Sequence, residues 1–466
     1  MRFVTSELKA IALALVCFAA GPARAADLLT AVPPADDEPS LAGTAQAGKG
    51  LPTLTLAEAL RTARIEQPTL RQAESARMIA VGQADQARAP LLPQVTGSAS
   101  YARATANFVA PAGTLPSGVS TSAHSVTSFS TDPFFRFGLQ ASQLIWDFGE
   151  TLNGWRAAKV NAEAQDASVR TTELQVAYNV RVAFFTARAA KDMVGVAKAT
   201  LANQEKHVRQ IEGYVQLGRN PEIDLTQAKS DRATARVALI NAENTYDTSR
   251  AQLNLAMGVE RSVDYELSDD GLTGVEGEDA DPAALVEEAV RARPEIANLK
   301  LLITSRELNL KSTRDEHYPQ LAFNTSLTDN GTSLDELVWN WSGALTLSVP
   351  LYLGGNINAQ VHQAEAQLIG VRAQLEAQRQ QVRLDIEQAR LSIRAAKALI
   401  EAADDGVANT RDRLRLAEGR YQAGVGSIIE LGDAQVAETS AEVQRVQAEY
   451  QLYTARAQLV KALGRN

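Results

Sequence analysis

Two hydrophobic periods alternate along the chain, and each occurs twice. From Phe134 to Asp147, the residues Phe135, Phe137, Leu139, Ala141 and Ile145 share one side of a two-residue alternation, opposite Arg136, Gly138, Gln140 and Ser142. This is the pattern of a strand wetted on one face only. Upstream, Val95, Ala99 and Tyr101 alternate with Thr96, Ser98 and Ser100. The spacing predicts a β-hairpin over 94–148 with a long polar loop from about Asn107 to Pro133. A second hairpin is expected over 319–353. There Leu321, Phe323 and Leu327 oppose Asn324, Ser326 and Thr328, while Trp339, Trp341, Leu345, Leu347 and Val349 oppose Asn340, Ser342, Thr346 and Ser348.

After each hairpin the period lengthens to that of a helix. A long helix is predicted over 149–217, a rod of roughly 100 Å at 1.5 Å per residue, with Val194, Leu201, Val208 and Val215 at seven-residue spacing. The second, over 355–423, carries Ile386, Ile393, Ile400, Val407, Leu414 and Tyr421 at the same spacing, with Ala389, Ala396, Ala403, Thr410 and Ala417 beside them. Heptads sustained over this length specify a coiled coil. Glycines at 218 and 424 end the rods, and return helices are expected over 221–257 and 427–463. A single offset of 206 in numbering carries Val194 onto Ile400, Gly218 onto Gly424, Asp224 onto Glu430 and Gly258 onto Gly464. The chain is therefore a duplication, with repeats at 53–258 and 282–466. Each opens on a short helix, the first capped by Thr55 with Glu58 three residues on. Between them, residues 259–281 hold nine acids against Arg261 alone and read as a solvated connector.

Composition adds an address. Arg2 and Lys9 precede an apolar run, and Ala23-Arg24-Ala25 is a cleavage site, so 1–25 is expected to be a secretory signal peptide and 26–52 a disordered, Pro- and acid-rich leader. Cys17, the single cysteine, lies in the apolar run and would leave with the signal, which excludes disulfides and thiolate chemistry. Removing the signal (Arg2, Lys9 and Arg24 against Glu7) takes the formal charge from −9 to −11, which speaks against nucleic acid as a partner. Aromatic residues make up only 5%, thin material for an ordinary globular core and suited to helices packed through alanine. The four histidines, His124, His207, His317 and His362, share no ligand spacing, so no metal, cofactor or catalytic constellation is expected. Asp147-Phe148-Gly149 lacks the rest of a kinase signature and reads as a turn.

Strands of this length with one apolar face have the signature of an outer-membrane barrel. Four strands cannot close one, and open edges in lipid are costly, so several copies must share a barrel. The duplicated layout, the Pro93-Gln94 and Pro319-Gln320 entries to the strands, the Trp146-Asp147-Phe148-Gly149 and Leu351-Tyr352-Leu353-Gly354-Gly355 exits, and the tip from Tyr421 to Ala434 together resemble the TolC-type outer-membrane efflux and secretion family. The resemblance implies an α+β membrane protein: a homotrimer with a twelve-stranded β-barrel in outer-membrane lipid, continuous with an α-helical barrel across the periplasm. It implies a passive exit duct for efflux or type I secretion, opened by a periplasmic adaptor (membrane fusion) protein and an inner-membrane RND or ABC exporter.

The resemblance also assigns residues. Glu430 and Asp433 fall on the acids ringing the closed periplasmic aperture, where like charges brought together favour bound cations; the same two acids would also suit a helix N-terminus. Asp224, Tyr421 and Gly426 fall on the contacts that lock the aperture. The family commonly has a basic residue where this chain has Gly426, so Arg219 or Arg420 is the expected substitute. The turns Leu217-Gly218-Arg219 and Ala423-Gly424-Val425 are the expected adaptor-docking tips, although glycine also serves as a plain helix cap. Trp339 and Trp341 are expected in an aromatic belt at the membrane interface. The alternative is a periplasmic coiled-coil scaffold without channel activity, against which the half-apolar strands with their tryptophans speak.

Overall fold

The structure is a computed structural model that describes residues 52–105, 129, 131–219, 221–260, 264–271 and 274–465. The expected signal peptide, the leader up to residue 51 and most of the first hairpin loop lie outside the described residues. One compact unit runs from Thr53 onward.

The first repeat opens with strand β1 (Thr53–Leu54) and helix α1 (Leu56–Glu66). Thr55 caps α1: its Oγ1 accepts from the Glu58 amide at 3.2 Å, and the Glu58 carboxylate accepts from the Thr55 amide at 3.0 Å. Pro68 forbids helical backbone at the residue before it. Gln67 is accordingly extended (φ −65°, ψ 117°), and α2 (Pro68–Arg88) starts afresh with proline in its first turn. A short 3₁₀ turn at Ala89–Leu91 leads to β2 (Gln94–Thr105) and β3 (Thr131–Trp146). Helix α3 (Glu150–Gln216) and its return helix α4 (Glu222–Met257) complete the repeat.

After a two-residue strand β4 (Glu266–Leu267), the second repeat presents α5 (Pro282–Ala292), α6 (Pro294–Asp315), β5 (Gln320–Gly331), β6 (Val338–Ser348), α7 (Asn356–Gln422) and α8 (Ile428–Ala462). The short helix expected at its start is two, because Pro294 breaks the chain at Arg293 as Pro68 does at Gln67. Helices α3 and α7 are each 67 residues long, and the offset read from the sequence carries both ends of one onto the other, Glu150 onto Asn356 and Gln216 onto Gln422. Ahead of the hairpin loops the offset is larger, carrying Pro68 onto Pro294 and Gln94 onto Gln320. The longer first hairpin loop accounts for the difference.

The main sheet is antiparallel throughout, in the order β2-β3-β5-β6. Register aligns Tyr101, Phe135, Phe137 and Leu139 with Leu327, Trp341, Phe323 and Leu345 on one face, and places Ser98, Arg136, Gln140, Ser326 and Ser342 on the other. A bulge between Leu144 and Trp146 shifts the register at the helical end of β3. Among the described residues, β2 and β6 each have one side unpaired. No described helix is long and apolar enough to cross a membrane.

Along the rods the core is largely alanine. Ala434, Ala441, Ala448, Ala455 and Ala462 are buried at strict heptad spacing on α8, and Ala228, Ala235 and Ser249 hold matching positions on α4. Small side chains let the paired helices approach closely. Larger side chains gather where the short helices meet the rods: Val180, Phe184, Phe185, Leu253 and Met257 in the first repeat, and Ile386, Ile393 and Leu459 in the second. The acidic stretch 259–281 corrects its expected role as a purely solvated connector. Tyr265 and Leu267 are buried in the first of these cores, and β4 pairs in parallel with β1.

At both cores, helices meet end to end. Gly258 ends α4 at φ 79°, and a Cβ there would lie 2.7 Å from Gln67 Cα at the start of α2. Gly464 follows α8 at φ 72°, with its Cβ position 3.2 Å from Arg293 Cα. Side chains seal the joints: Gln67 Nε2 donates to the Ala256 carbonyl at 2.8 Å, and Arg293 Nε donates to that of Ala462 at 2.8 Å.

Candidate functional site

At the far end of the rods from the sheet, two turns of the same construction form the tips. In the first, the amide of Gly218 (φ 72°) donates to Val215 and that of Arg219 to Tyr214, both at 2.9 Å. In the second, the amide of Gly424 (φ 75°) donates to Tyr421 and that of Val425 to Arg420, both at 3.0 Å. Each is a paired C-terminal cap that requires a left-handed residue, hence glycine. The return helices start differently. Pro221 precedes α4, whereas Ser427 caps α8 by accepting from the Glu430 amide at 3.1 Å.

The second tip contains a contact that spacing did not reveal. Arg420 Nε lies 3.3 Å from Glu430 Oε1, across the turn. Of the two residues expected to replace the basic lock, Arg420 is paired with Glu430, one of the acids expected at the aperture. Both partners are substantially exposed, so this pair is worth little as stabilisation. A Cβ on Gly426 would lie 3.0 Å from both Arg420 Cβ and the Tyr421 amide nitrogen, so the turn has no room for a larger residue without shifting.

Tyr421 is buried in a small core formed with Val208, Ile211, Ala228, Ala417, Leu431 and Ala434, which joins the two hairpins. His207 meets it edge to face, with ring centroids 5.6 Å apart. Gln204 Nε2 donates to Gln435 Oε1 at 2.9 Å, and the Thr200 and Thr439 hydroxyls lie 3.2 Å apart, so polar contacts stitch α3 to α8. Burial holds the His207 imidazole below its ordinary pKa, partly offset by Asp231 on α4. Asp224 is half-buried in the first turn of α4, Glu430 is half-buried, and Asp433 is exposed.

The expected docking turns are open to solvent, with Leu217 and Val425 each about 70% exposed. Two further residues belong with them. Ile223 and Ile429, one in the first turn of each return helix, are 72% and 71% exposed and hold equivalent positions in the two repeats. The repeat offset would have paired them; they escaped notice because one apolar residue in a helix start is unremarkable by itself. At the opposite end of the chain, Trp339 and Trp341 lie on the apolar face near the β5–β6 turn, both exposed, and Trp341 Nε1 donates to Thr325 Oγ1 at 3.0 Å. Among the described residues no group of His, Cys, Asp and Glu is arranged to hold a metal.

A half-apolar sheet of two hairpins, each followed by a very long helix paired with a return helix across a capped tip, defines a class of duplicated proteins of mixed strand and helix. Known structures share it. The chain superposes on a crystal structure of CusC with a TM-score of 0.77 at 19% identity, over 91% of this chain and 96% of that one. The outer membrane channel CmeC of Campylobacter jejuni gives 0.76 at 18%, over 88% and 85%. In sequence, the chain is 25% identical to the outer membrane protein TolC of Escherichia coli (strain K12) over 441 residues, 89% of this chain and 84% of that protein. It is 24% identical to the outer membrane efflux protein BepC of Brucella suis biovar 1, over 70% of this chain and 67% of that one. Residues 59–259 and 285–465 match the profile of the family described as outer membrane efflux protein, and the chain belongs to that family. It is an outer-membrane protein that extends into the periplasm.

Proposed function

We propose that the chain is the passive exit duct of a tripartite efflux pump or a type I secretion system. Three copies join their sheets through the unpaired sides of β2 and β6 into a barrel of twelve strands, wide enough for a water-filled lumen. Their helices continue the lumen across the periplasm. The observation that carries this reading is the sheet itself: one face rich in apolar and aromatic side chains (Tyr101, Phe135, Phe137, Leu139, Leu327, Trp339, Trp341) and two edges unpaired among the described residues, at the end of rods about 100 Å long. A periplasmic scaffold has no use for a sheet that is greasy on one face and unpaired at both edges.

The tips are the gate. Three copies bring Glu430 and Asp433 together as six carboxylates around one axis, with Asp224 and Tyr421 holding neighbouring hairpins. Leu217, Gly218, Arg219, Ala423, Gly424 and Val425 offer turns to a periplasmic adaptor, which couples the duct to an RND or ABC exporter in the inner membrane. Trp339 and Trp341 anchor the barrel at the lipid interface. Outer-membrane fractionation with a heat-stable trimer on gels is the expected result, and a soluble monomer overturns the duct. In planar bilayers, Glu430→Gln with Asp433→Asn should weaken block by multivalent cations, whereas Asp224→Ala should chiefly raise resting conductance. Unchanged block in the double variant removes these acids from the aperture.

A further inference from the structure

A cavity of about 460 Å³ opens where α8 packs between α3 and α7. Tyr178 on α3 and Tyr450 on α8 supply its rings, and Ser392, Gln451, Thr454 and Gln458 its polar groups; the rest of the lining is alanine and valine. Neither the short helices nor the connector contributes a lining residue. Tyr178 and Val182 lie two residues either side of Val180, and Ala395 lies two residues beyond Ile393; Val180 and Ile393 share their cores with α1 and α5. At roughly 100° per residue, the cavity therefore faces away from the short helices. Charged residues are 22% of the chain, yet none of the ten that line the cavity is charged. Both rings are held from outside it. The Tyr450 hydroxyl lies 2.9 Å from Thr186 Oγ1, and Lys461 Nζ sits 4.9 Å from the Tyr178 ring centroid while donating to Gln175 Oε1 at 2.6 Å. The side chains of Gln451, Gln458 and Ser392 make no hydrogen bond to any described residue. The pair of rings occurs once per chain, because the equivalent positions in the other repeat are Leu384 and Asn244.

We infer that this cavity binds a small, uncharged aromatic molecule with hydrogen-bonding groups at its edge, a solute in passage along the duct. The inference rests on the duct reading, in which the face of the rods free of short helices lines the lumen. The volume lies in the range of small-molecule sites. A flat ring stacks on a tyrosine whose position is already fixed, and its polar edge exchanges hydrogen bonds with Gln451, Gln458 and Ser392. An ionised group would lose water there without meeting a counter-charge, so the site selects against ions.

The test uses the full protein purified in detergent, with coumarin as the neutral planar probe and coumarin carboxylate as its anionic counterpart. Equilibrium dialysis against detergent-matched buffer should show saturable binding of coumarin, with the carboxylate roughly tenfold weaker or more. Tyr178→Leu, which installs the residue of the other seam, should weaken coumarin about five- to tenfold, the size of one ring contact. Ala395→Trp, at an exposed position, fills the cavity and should abolish binding; it carries the test should Tyr178→Leu fail to fold. Leu384→Ala, at the equivalent place in the other repeat, should change nothing. Uptake that does not saturate, or that is equal in wild type and Ala395→Trp, is partition into detergent and overturns the site. So does equal binding of the two probes. A monomer on native gels would instead fail the duct reading, whereas a trimer that leaves coumarin unbound fails the site alone.

Discussion

The two helix joints have the same backbone and different chemistry. In the first, a neutral side chain, Gln67, caps the carbonyls of α4, and the connector is held chiefly by burial of Tyr265 and Leu267, with its ion pairs from Arg250 to Asp264 and Lys191 to Glu266 made to largely exposed carboxylates. In the second, Arg293 caps α8, is 4% exposed, and also reaches Asp385 at 2.8 Å. There the connector is held by a largely buried carboxylate, Glu278, and its cations. Glu278 meets Arg456 at 3.0 Å and Lys397 at 2.8 Å, and Arg465 meets Glu288 at 2.6 Å. What the repeats share is what geometry demands: a left-handed glycine and room for another helix to abut it. How the connector is fastened was free to diverge.

The sharpest way to break the comparison is to truncate both caps. Arg293→Ala uncaps a helix end and leaves half-buried Asp385 with Gln381 as its hydrogen-bond partner, and should cost about 2–4 kcal/mol, somewhat less than breaking one side of a fully buried pair. Gln67→Ala removes neutral hydrogen bonds and should cost about 1–2 kcal/mol. Thermal melts of the detergent-solubilised protein would show the inequality, and equal losses would mean that the charge at Arg293 contributes nothing. The glycines reverse the ranking. Gly258→Ala forces a methyl to 2.7 Å from backbone in addition to its left-handed strain, whereas at Gly464 the approach is 3.2 Å. The first should cost about 2–4 kcal/mol and the second about 1–2 kcal/mol, the latter close to conformational strain alone.

Acid should separate the joints further. Burial pushes the Glu278 carboxyl upward, but hydrogen bonds from Arg456, Lys397 and the Val275 amide outweigh it and bring the pKa down to about 2. A folded-state pKa below the unfolded value stabilises above the ordinary carboxylate range and loses that contribution as pH falls towards 2. The second joint should therefore loosen between about pH 4.5 and 2, with ~2–3 kcal/mol at stake. Hydrogen exchange on 274–292 read against 56–66 would follow it, and Glu278→Gln should abolish the difference. Exchange that rises equally in both segments would remove Glu278 as its source.

What the sequence disclosed, and what it hid, follows from range. Strand faces and heptads are local periods, so Phe135 with Leu139, or Ile386 with Ile393, reveal their side of the element without knowledge of the partner. The constant offset between repeats exposed the tips because Gly218 and Gly424 are backbone requirements that few other residues meet. The joints needed contacts between distant segments. Nothing near Gln67 announces that it caps α4, and the acids of 259–281 conceal Tyr265 and Leu267. The change of offset ahead of the hairpin loops also hid the equivalence of Gln67 with Arg293. At the tip, the contact of Arg420 with Glu430 depends on how the turn folds back, and the burial of His207 depends on the hairpin of the other repeat.

That histidine offers the smallest and most specific test, because only one hairpin has it. Its equivalent in the second repeat is Arg413, which is exposed, so α3 alone brings an imidazole into the seam. Burial lowers the His207 pKa while Asp231 on α4 raises it; Tyr421 faces it from α7, and from α8 the seam presents uncharged Gln435 and Leu431. A histidine held below its ordinary pKa favours the packed seam above about pH 6.5 and disfavours it as pH falls, because the proton is accepted more readily once the imidazole is released to water. An effect of about 1 kcal/mol is expected, the size of one hydrogen bond. Pulsed EPR distances between spin labels on α3 and α8 near the tips should broaden from pH 7.5 to 5.5 in wild type and stay unchanged in His207→Gln. Equal broadening in both would assign the acid response to other groups at the tips, such as Glu430 and Asp433, and would leave the seam between the hairpins as insensitive to pH as the alanine-packed rods above it.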